Sequence, residues 1–413
     1  MSQNAQYEMK DSGVEWIGEI PKEWKLKSAK HCVDIHHGSD PTTEGDIPVY
    51  GSGAESFKTC GEYKEGPTVL IGRKGATLHI PHYITGKYWN VDTAFDVKAH
   101  SDFSLKFYYY LAICFDYKFY ISQTTLPGMT QTNYRNMPIP VPLLIEQQSI
   151  ASYLDEKCAA IDEIITEAKT TIDEYKSWKV SVIFEAVTKG LDKNADMKYS
   201  DVEWIGRIPK DWKIISLRYL GKCQNGISKD GDAFGSGFPF VSYTDVYKNI
   251  VLPEDTSRLV ESTEEERERY SVKYGDIFFT RTSETIEEIG FSSVCLKTID
   301  NATFAGFLIR FRPTNNQLYP EYSKYYFRSE LQRRYFVKEM TLVTRASLGQ
   351  ELLKSMPVIL PPFETQQKIA AYLDEKCAAI DGVIAEKEAL IGELESYKKS
   401  LIFETVTGKR RVC

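Results

Sequence analysis

Residues 153–162 read Tyr153-Leu154-Asp155-Glu156-Lys157-Cys158-Ala159-Ala160-Ile161-Asp162, and all ten return in the same order from Tyr372 to Asp381. The shift is 219 positions, and it holds on both sides of the decapeptide. Upstream, Gln147-Gln148 returns as Gln366-Gln367; downstream, Ile183-Phe184-Glu185 returns as Ile402-Phe403-Glu404. A second block repeats with another shift. Val14-Glu15-Trp16-Ile17-Gly18 returns as Val202-Glu203-Trp204-Ile205-Gly206, and Ile20-Pro21-Lys22-Glu23-Trp24-Lys25 as Ile208-Pro209-Lys210-Asp211-Trp212-Lys213, both 188 positions on. The chain is therefore two copies of one unit, and the stretch between the shared blocks is 31 residues longer in the second. Self-similarity of this kind decides an architecture before any single element does. The shared blocks read as framework, and the stretches between them as exchangeable cargo.

The decapeptide lies on a helical seam. Leu154, Cys158, Ile161, Ile165, Ala168, Ile172 and Tyr175 step by four and three, followed by Val182 and Ala186. The second copy gives Leu373, Cys377, Ile380, Ile384, Ile391, Leu394 and Leu401. Lys179 interrupts the first stripe; Lys387 and Lys398 interrupt the second. Such spacing predicts a long helix from about residue 145 to 187 and its repeat. At ~1.5 Å per residue the rod is roughly 65 Å long. One apolar stripe needs a partner, and the nearest is the other copy. Loop length permits either orientation. Antiparallel is favoured, because it puts the globular inserts at opposite ends about a pseudo-twofold axis. The expected fold is α+β: two globular domains, 1–143 and 191–362, joined by two long antiparallel coiled-coil helices, 144–190 and 363–413.

Composition sets limits on function. With 42% hydrophobic and 26% charged residues the chain is an ordinary globular protein. Its longest apolar run, Phe107 to Phe115, is far short of the ~20 residues a membrane span needs. The polar N-terminus lacks a signal layout, so a cytoplasmic location is expected. Eight cysteines without a C-x-x-C pair imply reduced thiols, with Cys158 and Cys377 as small core residues. The pairs His36-His37 and His79/His82 have no cysteine or carboxylate at ligand spacing, so structural roles are preferred to metal binding. A net charge of −7 argues against indiscriminate coating of nucleic acid. Its distribution is uneven: residues 144–190 carry −4, whereas 191–362 carry 0 and hold 12 of the 14 arginines that precede residue 363. Arginine is the side chain best suited to guanine edges and phosphates.

Between the framework blocks the first copy has strand-like pieces, Ile47–Tyr50, Thr68–Ile71 and Ala94–Val97, and a buried helix near Leu105–Phe115. Gly72-Arg73-Lys74-Gly75 follows one strand as a tight basic loop. Its glycines allow close approach to a phosphate or groove edge, and a plain hairpin turn is the alternative. It is not a Walker loop. Tyr274 to Arg281 parallels it in the second copy, and Tyr319 to Phe336 reads as a surface helix. Thr344-Arg345-Ala346-Ser347-Leu348 precedes the second proline-rich exit, as Thr124 to Arg135 precedes the first at Pro138, Pro140 and Pro142. The tryptophans of the W-I-G and I-P-K blocks are expected to pack on their own domain or on the rod.

This layout resembles the specificity subunit of type I restriction–modification systems. The match is carried by the paired W-I-G and I-P-K-[ED]-W blocks and by the proline-rich exits into Gln147-Gln148 and Gln366-Gln367. The decapeptides and the closing I-F-E-x-V-T segments at 183–188 and 402–407 complete it. It covers nearly the whole chain. The resemblance implies a non-catalytic subunit that binds double-stranded DNA with a split target, one half per recognition domain. It implies docking of two modification (methyltransferase) and two restriction (translocase/nuclease) subunits. S-adenosylmethionine, ATP and Mg are then expected on those partners, with no cofactor and no metal in this chain.

The recognition domains of the family vary too widely for base contacts to be carried over, so the candidates rest on chemistry alone. Base reading needs paired donors and acceptors on a positioned surface. Arg73, Lys74, Thr77, Gln131, Thr132, Asn133 and Arg135 qualify in the first globule; Arg281, Thr282, Ser283, Arg345, Ser347 and Gln350 qualify in the second. Two other readings compete. A coiled-coil scaffold that binds only proteins explains the helices and leaves unexplained why globule interiors diverge between constant edges. A DNA amino-methyltransferase needs a polar residue before Pro-Pro-aromatic to accept from the target amine. Leu360-Pro361-Pro362-Phe363 offers leucine there, and Val141-Pro142-Leu143-Leu144 lacks the second proline.

Overall fold

Leu144–Lys189 forms one uninterrupted helix of 46 residues, and Phe363–Val406 one of 44. The computed structural model describes residues 8–53, 55–121, 127–256, 258–283, 288–339 and 346–412. Its compact units cut across both helices. One comprises Met1–Lys169 with Lys387–Cys413, the other Thr170–Glu386. Each unit thus holds one globule, the start of one long helix and the end of the other.

Within each unit the two helical segments run antiparallel. In the first, Lys398 Nζ donates to both oxygens of Asp162 at 2.6 Å, while Arg410, further along, lies beside Tyr153, earlier on the first helix. In the second, Lys179 Nζ donates to Asp381 at 2.7 and 2.6 Å, and Tyr372 lies near Val182 and Ala186. Lys179 and Lys398 are repeat equivalents, and so are Asp162 and Asp381. Two of the three lysines that interrupt the apolar stripe therefore reach the last residue of the decapeptide on the facing helix. Both pairs are largely solvated, worth about 0–1 kcal/mol each, so they fix register more than they stabilise. Leu154, Ile161, Ile165, Ile172, Leu373 and Ile380 are buried; Ile384, Ile391 and Leu394 are half-buried, on the stretch that Lys387 interrupts. Cys158 and Cys377 are buried, and desolvation pushes both thiols up, as suits packing rather than reactivity.

The globules share one topology. The chain comes in on Lys25–Ser28 and goes out on Pro138–Val141, which pair antiparallel; Lys213–Ser216 and Pro357–Leu360 do the same in the second unit. Prolines fit this two-stranded edge because half of its N–H groups need no ladder partner. Next comes a four-stranded antiparallel sheet in the order Val33–His37, Ala94–Ala99, Thr68–Gly72, His82–Ile84. Its counterpart runs Gly221–Asn225, Leu308–Pro313, Ile277–Thr280, Ser292–Val294. A second sheet is built in each unit on a parallel pair, Ile47–Tyr50 with Lys87–Asn90 and Phe234–Val241 with Thr303–Phe304. The stretches that diverge in sequence therefore keep the strand order of the first sheet and the parallel pair, while the second sheet has four strands in one globule and three in the other. Pairing depends on alternation and turn placement, which many sequences satisfy.

The repeated framework residues are joints between globule and helix. Trp24 and Trp212 are buried. Each lies over the glycine that ends a long helix: a Cβ on Gly408 would lie 3.1 Å from Trp24, and one on Gly190 3.1 Å from Trp212. Both glycines have positive φ, 74° and 76°, the left-handed cap that stops a helix. At the helix starts, Gln147 Oε1 accepts from Ser104 N at 2.8 Å and its Nε2 donates to Pro142 O at 2.9 Å. Gln366 repeats this with Tyr319 N at 2.9 Å and Pro361 O at 2.9 Å. The decapeptide aspartates accept from tyrosine: Tyr110 to Asp155 at 2.6 Å, Tyr325 to Asp374 at 2.7 Å. Replacing the buried Gln147 by leucine strands the Ser104 N–H and is expected to cost about 1–3 kcal/mol. A urea midpoint equal to that of the native chain would show that the joint carries no stability.

One segment departs from expectation. Tyr319 to Phe336 forms two helices, Pro320–Tyr326 and Glu330–Glu339, and most of its aromatic residues are buried. Ser329 Oγ donates back to Tyr326 O at 2.7 Å, and the Arg328 guanidinium turns inward to the carbonyls of Val246, Tyr247 and Ser292. Those bonds break the helix where periodicity alone would continue it.

Candidate functional site

In the first globule the strand Thr68–Gly72 delivers the basic loop to one edge, where it is tied to the segment before the outgoing strand. Met129 N donates to Arg73 O at 2.9 Å and Gly75 N to Pro127 O at 3.0 Å, and Lys74 bridges to Gly128. Thr130 then caps the short helix Gln131–Asn136 by accepting from Asn133 N. In the second globule Leu348 N donates to Arg281 O at 2.7 Å, and Thr282–Ser283 pairs with Ala346–Ser347. Met129 and Leu348 stand 219 positions apart, so one backbone joint serves both sites. The two groups of candidates, distant in sequence, meet on one edge in each globule.

Their side chains divide into two kinds. Lys74, Thr77, Thr132, Arg135 and Ser347 are exposed. Others are engaged within the fold. Arg73 pairs with Asp92. Gln131 Nε2 donates to Ile35 O at 2.6 Å, and Asn133 Nδ2 to Tyr120 O at 3.1 Å. Ser283 is buried and donates to Glu288 at 3.3 Å, and Gln350 Nε2 donates to Asn225 Oδ1 at 2.9 Å. Arg281 and Thr282 are half-buried, with Thr282 O accepting from Tyr243 at 3.0 Å. Arg345 and Thr124 lie outside the described residues.

Sequence reading missed the polar centre of each sheet. Asp96 sits at the middle of the first sheet, buried, with Lys64 Nζ at 2.5 Å. The equivalent strand position in the second globule is Arg310, which is buried and bonded to Gln224 and Ser271. Burial lowers its pKa to about 10, so it keeps its charge at neutral pH. Neighbouring Arg312 grips the buried Asp276 through Nε and Nη2, both at 2.6 Å. Only the strand register, not any motif, shows that these residues share a place. His36 lies 3.8 Å from Asp96, and burial lowers the pKa of His82. Among the described residues no group of three His, Cys, Asp or Glu could hold a metal, and no helix is long and apolar enough to cross a membrane. Leu360 ends the outgoing strand and Phe363 begins the helix, so Pro361-Pro362 forms a strand–helix junction.

The family described as type I restriction modification DNA specificity domain matches residues 21–174 and 209–390. Among curated proteins, the chain is 26% identical over 273 residues to the type I restriction enzyme EcoKI specificity subunit of Escherichia coli K12, covering 66% of this chain and 57% of that protein. It is 25% identical over 307 residues to the MjaVIII specificity subunit of Methanocaldococcus jannaschii, covering 70% and 66%. The chain thus spans under two thirds of the length of these relatives. Among solved structures, a chain described under complex assembly and conformational transition of the type I R-M system superposes with a TM-score of 0.73 at 14% identity, covering 95% of this chain and 99% of that one. The HsdS subunit from Thermoanaerobacter tengcongensis gives 0.55 at 15% identity, covering 97% and 100%. Both likenesses concern the fold.

Proposed function

We propose that this chain, which belongs to the type I restriction modification DNA specificity family, is the DNA-reading subunit of a type I restriction–modification complex. Each globule reads one half of a split duplex target. The long helices set the gap between the halves and, with the framework blocks, dock two modification subunits; restriction subunits join that core. The chain itself carries no catalytic step. S-adenosylmethionine, ATP and Mg belong to its partners.

The observation that supports this reading is the shared backbone joint, Met129 to Arg73 and Leu348 to Arg281. It brings the segment that follows an inner strand, headed by Arg73 in one globule and Arg281 in the other, together with the segment before the outgoing strand in both globules, whose sequences otherwise differ. Exposed Lys74 and Arg135 suit phosphates, and exposed Thr77, Thr132 and Ser347 suit base edges.

A salt titration with the co-purified modification subunit tests the reading. Log affinity should fall linearly with log salt, and Lys74→Ala and Arg135→Ala should each reduce the slope by about 1. Binding that is flat in salt, or equal for every duplex, would favour the scaffold reading.

A further inference from the structure

We propose that Phe57 in the first globule and Phe307 in the second each press an exposed ring against a base of the half-target. This rests on the DNA-reading function proposed above and assigns aromatic base contacts to it. The two phenylalanines have no sequence relation, yet each stands beside the arginine loop of its own globule.

The equivalence is backbone-deep. Ser39 N donates to Asn90 O at 3.0 Å, as Ile227 N donates to Phe304 O at 2.9 Å. Ala94 N donates to Val91 O at 3.0 Å, as Leu308 N donates to Ala305 O at 3.0 Å. Arg73 N donates to Thr93 O at 2.8 Å, as Arg281 N donates to Phe307 O at 2.9 Å. Thr93 and Phe307 therefore hold the same place next to Arg73 and Arg281.

Phe307 is 64% exposed, although its neighbours are fixed. Leu308 is fully buried, Gly306 N donates to Ile227 O at 2.7 Å, and a Cβ on Gly306 would come within 2.5 Å of Ser228 Oγ. A rigid turn thus holds the ring out in solvent. In the first globule the equivalent residue is the small Thr93, and the Phe57 ring, carried on the strand Ser56–Cys60, stands on the other side of Gly51 from it. A Cβ on Gly51 would lie 2.9 Å from Thr93 Oγ1 and 3.7 Å from Phe57 Cε1. Phe57 is 60% exposed, and the Lys58 ammonium stands 5.6 Å from its ring centre.

Single exposed apolar residues are common on protein surfaces. These two differ in lying at, or across one glycine from, the residue whose carbonyl accepts from the arginine of each globule. A ring on a fixed backbone loses little freedom on binding. Apolar contact with a thymine methyl or a partly unstacked base step carries sequence information that phosphate contacts lack.

The test uses the intact complex with its modification subunit and duplexes selected by the native protein. Phe307→Ala should weaken binding roughly tenfold, the usual scale for losing one base-pair contact. It should relax preference in one half-target only, and Phe57→Ala in the other half. The salt slope should not change, because no phosphate contact is lost. Leucine at either position should restore part of the affinity. Unchanged affinity and preference in both alanine variants would overturn the proposal. So would weakened assembly with full DNA selectivity, which would assign the rings to a protein partner. If the native complex selects no duplex, the DNA-reading function fails and this inference with it; selection by the native complex without any effect of the variants removes the inference alone.

Discussion

The double variant Ile161→Asp, Ile380→Asp is expected to lose the cooperative melting transition of the native chain near its usual temperature. Both isoleucines are buried, at 7% and 3% exposure, and they are repeat equivalents in different compact units. An aspartate at either site is a carboxylate without a buried cationic partner. Leaving such a charge unpaired costs about 3–5 kcal/mol. The sites lie in different compact units, so each unit bears its own cost. Each cost is a large fraction of the whole stability of a typical domain, about 5–15 kcal/mol. Circular dichroism at the helix band, followed through a thermal scan, reads the outcome. A melting curve unchanged from the native chain would show that the decapeptide seam is not packed.

Trp212→Ala is expected to destabilise the second unit by about 3–5 kcal/mol, the usual cost of deleting a large buried aromatic. The residue is 2% exposed and closes over Gly190, where the first long helix ends. Lys198 Nζ holds the same block by donating to Trp212 O at 2.6 Å and Lys210 O at 2.7 Å. The first unit repeats the arrangement, with Lys10 donating to Lys22 O and Trp24 O, both at 2.7 Å. Loss of the ring should therefore fray the last turns of the helix before the globule unfolds. Hydrogen exchange at 183–189 measures this directly. Protection equal to that of the native chain would mean that the tryptophan seals only its own globule.

Those joints explain why the framework was legible in the sequence. Each repeated residue serves a contact that recurs: Gln147 and Gln366 at helix starts, Trp24 and Trp212 at helix ends, Asp155 and Asp374 under tyrosine hydroxyls. Two shifts, 219 and 188, arise because the helix and the block that caps a helix end lie on opposite sides of a globule of variable length. The pairing of Lys179 with Asp381 and of Lys398 with Asp162 was written in the same numbers, as two lysines and two aspartates that each repeat at 219. Reading the lysines only as breaks in an apolar stripe hid it.

The candidate edge was legible only in part. The glycines around Arg73 and the loop before each exit pointed to two segments that the backbone joins, but residue type could not show which side chains face solvent. Gln131, Asn133 and Ser283 are chemically apt for base contact and are engaged inside the fold. Phe57 and Phe307 carry no polar groups and sit on a strand and a turn that are not equivalent, so neither motif nor repeat links them. The broken helix at Phe327–Ser329 was hidden for a similar reason: its cause is a set of bonds from Arg328 to carbonyls more than 30 residues away in sequence.

Selection of binding sites from random duplex DNA by the chain co-purified with its modification subunit tests the central claim most directly. Two short specific blocks separated by one fixed gap are the predicted result, one block for each globule. Failure of an intact complex to enrich any sequence would contradict the claim that this chain reads DNA.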